Sequence, residues 1–173
     1  MSFESEIIEK IKNSSNWPTF EKPDYLGMLN QLADDALKSS EKFAPISAIL
    51  IYQQLVEELL RLILSFSGFL IQARMWPWKV ESKELKGAMF GRVFDELKKT
   101  VEFQHRDQIL IIANEINEIR IQVAHGLAKF ESIEPLRAKA IEVENKFNEL
   151  FRLYEETDEW FRLCLKNIKQ TVA

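Results

Sequence analysis

The chain has 173 residues, 46% hydrophobic and 29% charged, with only five glycines and five prolines. That is enough to bury roughly 70% of the unfolded surface without a metal or disulfide, and the scarcity of turn formers favours long helices over many short strands. Cys164, the sole cysteine, excludes an intramolecular disulfide, and a net charge of −4 argues against broad, nonspecific nucleic-acid binding, which needs surplus Lys and Arg.

At the N-terminus, MSFESEIIEKIK is acidic and amphipathic, without the basic start and apolar run of a secretory signal. Phe3, Ile7, Ile8 and Ile11 predict a short helix, ended by residues 13–16. A proline-rich loop follows over 16–23, where Trp17 and Phe20 either pin the loop to the core or form an exposed recognition patch. Asp24 is the expected cap of a second helix running to about Ser40.

Pro45 suits a first helical turn, so a long apolar helix is expected over 46–71, central to the fold. Its longest apolar run, 62–71, is far short of the roughly 20 residues that cross a bilayer, so no membrane association is expected. Glu57 and Arg61, four apart, suit a surface ion pair; no ligand-spaced partners turn Glu57 and Glu58 into a metal site. The connection Arg74-Met-Trp-Pro-Trp-Lys79 puts Trp76 and Trp78 beside Pro77, either capping the open end of a bundle or offering a binding surface. Ser82 then caps a helix expected over 83–103, with Gly87 and Gly91 spaced for close approach of another backbone. His105 reads as a solvated turn residue.

The clearest periodicity lies in 107–128. Ile109, Ile112, Ile116, Ile119, Val123 and Leu127 form one apolar face, and Ala113 and Ala124 leave room for a neighbouring helix. Asp107 suits the start and Gly126 a left-handed stop. Arg120 and His125 interrupt the apolar pattern. Five residues rotate a side chain by about 140°, so the two share a face only if the helix unwinds at Gly126 and the imidazole swings back. A guanidinium that grips a phosphate beside an imidazole that moves its proton suits phosphate chemistry. Polar Asn114, Asn117 and Gln122 lie on or beside the Arg120 stripe and are the candidate binding residues. The alternative is that they are simply a solvent face.

Arg120-Ile-Gln-Val-Ala-His125-Gly126, late in an apolar helix, resembles the R-x(4 to 6)-H motif of the HEPN superfamily, the higher eukaryotes and prokaryotes nucleotide-binding domain. Looser similarity in IYQQLVEELLRLIL and KGAMFGRVFDELK extends the resemblance over about 43–154, with 1–42 a helical lead-in. The resemblance implies a homodimer whose paired Arg and His cleave RNA without metal or cofactor, as in toxins matched with nucleotidyltransferase-type antitoxins or in phage defence. It equally implies a non-catalytic binding or regulatory module acting through protein contacts. Ile121 departs from the family, which usually has a polar residue, often Asn, after the arginine.

Beyond Ser132 and Pro135, Leu136, Ala140, Val143, Phe147, Leu150, Tyr154, Thr157, Phe161, Cys164 and Ile168 alternate steps of four and three. This seam suits the last helix of a bundle or a dimer contact. The expectation is therefore one all-α domain over 1–173, an up-and-down, HEPN-like bundle of five or six helices, cytoplasmic, with Arg120 and His125 as candidate catalytic residues.

Overall fold

Helix forms wherever apolar residues keep the three-and-four spacing and no proline falls inside a turn that needs its N–H. The computed structural model describes residues 3–80, 88–130 and 132–172. Among them are six α-helices and no strand: α1 (Phe3–Lys12), α2 (Pro23–Lys38), α3 (Ala44–Met75), α4 (Phe90–Lys99), α5 (Arg106–Gly126) and α6 (Glu134–Val172). The all-α class is thus observed. No helix among the described residues is long and apolar enough to cross a membrane.

Two compact units share the chain. The first takes α1, the second half of α3, α4 and the second half of α6; the other takes α2 and α5 with the first halves of α3 and α6.

In the first unit, aromatic rings fill the core. Phe66 stacks on Phe161 at 5.4 Å, Phe103 tilts against Phe161 at 5.5 Å, and Trp160 meets it edge-on at 5.1 Å. Trp17 is buried and its indole N–H donates to the carbonyl of Ile11 at 3.2 Å, while Phe20 lies 5.8 Å from Tyr154. The aromatic residues of the 16–23 loop therefore pin it. Of the helix expected over 83–103, residues 90–99 form α4; Ser82, Leu85 and Gly87 lie outside the described residues. The helix stops because Thr100 is extended, its hydroxyl bonded to that of buried Ser67. Gly91 faces open space, so it marks no close approach of another backbone. Trp78 is exposed, whereas Trp76 is half-buried, and Gln72 fixes their loop by donating to the Trp78 carbonyl at 2.9 Å and accepting from the Val80 N–H at 2.8 Å.

His105 is no solvated turn residue either. It adopts φ 61°, the left-handed region that a side chain seldom occupies, and its Nε2 lies 2.7 Å from Glu156. Next to it, buried Thr157 donates its hydroxyl to the carbonyl of Gln104 at 2.9 Å. These contacts fix the turn between α4 and α5 against α6.

In the second unit, Tyr52 of α3 donates to Asp34 of α2 at 2.6 Å and tilts against Phe147 of α6 at 5.0 Å. Asp24 sits in the first turn of α2, not at its cap; Lys22 precedes the helix without a side-chain capping bond and Pro23 opens it. Arg137 donates to the carbonyls of Leu37 at 3.2 Å and Ser39 at 3.0 Å, supplying the C-terminal end of α2 with partners its own backbone cannot offer. Helices α5 and α6 run antiparallel here: Lys146 reaches Glu115 at 2.7 Å, and seven residues earlier in α6 Lys139 reaches Gln122, seven residues later in α5, at 3.1 Å.

Candidate functional site

Helix α5 places all five candidate residues in the second unit. It buries Ile109, Leu110, Ala113, Ile116, Ile119 and Val123. The expected stripe is buried at Ile109, Ile116, Ile119 and Val123, but Ile112 is half-buried and Leu127 exposed; Ala124, expected to make room for a neighbouring helix, is exposed too. The deeper line is 109, 113, 116 and 123. At 100° per residue, position 120 falls within that line.

Arg120 is accordingly half-buried. One Nη donates to the side-chain oxygen of Asn117 at 3.2 Å, and its buried Nε has no partner among the described residues. His125 stands in the last turn, exposed, on the opposite side of the helix. The left-handed stop expected at Gly126 is absent. Gly126 has φ −109° and ψ 2°, and the backbone tightens into a short 3-10 helix over Leu127–Lys129. Because nothing unwinds before residue 126, the roughly 140° between Arg120 and His125 persists.

The binding candidates separate in the same way. Asn117 joins Arg120; Asn114 donates to Glu118 at 2.7 Å, and Gln122 accepts from Lys139 of α6. Arg120 and Asn117 thus form one inward-turned pair, while Asn114 and His125 share an outer stripe with Ile111, Glu118 and Ile121. That stripe also steps by three and four, and Ile111 is 59% and Ile121 39% exposed. Sequence reasoning missed it because polar residues occupy three of its five positions. The exposed isoleucines were its one visible signal.

No group of three or more His, Cys, Asp or Glu suited to a metal occurs among the described residues. Comparison with protein-family models, with characterised proteins and with solved structures finds no match to this chain.

Proposed function

We propose that the chain is a non-catalytic, HEPN-like helical binding module, regulatory in role, whose contact face is the outer stripe of α5. The azimuth of Arg120 supports this reading. Phosphoryl transfer needs the cation and the proton carrier on one phosphate at hydrogen-bond distance, whereas Arg120 is turned into the apolar stripe with Asn117 and His125 points to solvent. Two exposed isoleucines set among Asn114, Glu118 and His125 match the mixture of apolar anchors and polar rim that protein interfaces use. The partner is a protein.

A second reading rests on a different observation. His125 has no hydrogen-bond partner among the described residues, and Arg120 has no carboxylate partner there. In a homodimer, Arg120 of one chain and His125 of the other would form a metal-independent ribonuclease, with Asn114, Asn117 and Gln122 lining the cleft. The 2′-oxygen would attack phosphorus as the 5′-oxygen leaves, His125 moving the proton and Arg120 holding the developing charge.

One experiment separates the two readings: purified protein is incubated with varied RNAs in excess EDTA. The binding module leaves them intact, and His125→Ala changes nothing. Products ending in a 2′,3′-cyclic phosphate, lost in His125→Ala and reduced roughly a hundredfold in Arg120→Ala, would replace it with the nuclease.

A further inference from the structure

Helix α2 is amphipathic in an unusual sense, since it carries two apolar stripes. One turns inward around fully buried Ala33. The other comprises Tyr25, Met28 and Leu32, which are 51%, 57% and 52% exposed. Continued to exposed Asp35, the steps are three, four and three, the spacing by which one helix seats against another. A face meant only for water has no need of three large apolar side chains in register; Asp24, Gln31 and Lys38 supply that role elsewhere on the same helix.

We propose that this outer stripe of α2 is a self-association surface, covered by α2 of a second copy of the chain in an antiparallel, two-fold pair. The argument is self-complementarity, which an isologous contact requires. With the axis opposite residue 30, Met28 meets the partner's Leu32 and Leu32 the partner's Met28. At each end the Tyr25 hydroxyl reaches the partner's Asp35. That carboxylate has a lone pair to give: one oxygen accepts from Gln31 of its own helix at 2.9 Å, and the other has no hydrogen bond among the described residues. A parallel pair would instead set Asp35 against the partner's Asp35 and leave both phenols without an acceptor, so charge selects the antiparallel arrangement. Two 16-residue helices, each about 24 Å long, bury less than a standard interface, so the dimer is weak and forms only as concentration rises. This inference is independent of the function assigned to α5.

Sedimentation equilibrium of the full chain, from low micromolar to several hundred micromolar, tests it. The wild type should pass from monomer to dimer, and Leu32→Glu should remain monomeric with unchanged helicity. Should Leu32→Glu lose helix, Met28→Lys takes its place with the same expected result. In a Cys164→Ser background, oxidation should cross-link the Met28→Cys, Leu32→Cys double variant and leave the Met28→Cys single variant unlinked. Ile121→Glu, on α5, should still dimerise. A wild type monomeric throughout, a Leu32→Glu dimer, efficient cross-linking of the single variant, or a dimer abolished by Ile121→Glu would each overturn the proposal.

Discussion

Tyr52 shows how much one side chain can commit the second unit. It is buried, and it joins α3 to α2 through Asp34 and to α6 through Phe147. Burial, then the bond to Asp34 and the negative charge of Asp34 and Glu144, push its phenol well above the ordinary value of 10.0. Tyr154 in the first unit shifts the same way, through burial first and then the nearby Asp158 charge, with Arg162 opposing. For a group whose folded pKa is raised, the stabilisation is fully present below the unfolded value and is lost as pH climbs above it. Unfolding free energy, followed by urea denaturation, should therefore fall as pH rises past about 10. Tyr52→Phe should cost about 1 kcal/mol near neutrality, the worth of one hydrogen bond, and should make the alkaline decline shallower. An equally steep decline in the variant would remove Tyr52 from that account. None of this was legible in the sequence, because no periodicity couples residues 18 apart in different helices.

Among the helices, legibility followed the length and regularity of the apolar pattern. The α6 seam holds from Leu136 to Phe161 and again at buried Ile168; it misses at Cys164, which is half-buried while Leu165 is fully buried. A straight helix drifts about 20° per heptad against a strict 3.5-residue repeat, so a seam counted in threes and fours slips by one position over several turns. In α5 the stripe is lost at Leu127 because the α-helix ends at Gly126 and a 3-10 turn follows, while Ala113 and Ala124 separate cleanly. Ala113 is fully buried and Ala124 exposed. Ala113→Leu should lose about 1–3 kcal/mol through overpacking, whereas Ala124→Leu should stay within about 0.5 kcal/mol of wild type. Denaturant midpoints of the two variants check this. Equal losses would mean that the inner face of α5 is loosely packed. Gly126 was misread for a related reason: glycine permits a left-handed residue without requiring one, and the 3-10 turn over Leu127–Lys129 is the other way to close a helix end.

For the whole molecule, composition carried the fold class and left the function open, because the candidate site depends on where two side chains point around one helix. The R-x(4 to 6)-H spacing was visible in Arg120 and His125, but their 140° separation hinged on whether Gly126 unwound the chain, which no residue type dictates. Charge gives an independent handle on the outcome. The chain carries 23 Lys and Arg against 27 Asp and Glu, and the outer stripe of α5, from Ile111 to His125, contains Glu118 and neither Lys nor Arg. A surface that neutralises phosphates releases one set of counterions for each contact, and log K falls with log salt by about 0.7 for each contact with single-stranded nucleic acid. With no cation on the stripe, binding of single-stranded RNA should show a slope shallower than about −2 and should vanish near physiological salt, as read by fluorescence anisotropy across a salt series. A slope steeper than about −4 would require six or more phosphate contacts, hence a basic surface elsewhere on the chain, and would move the search for the functional face away from α5.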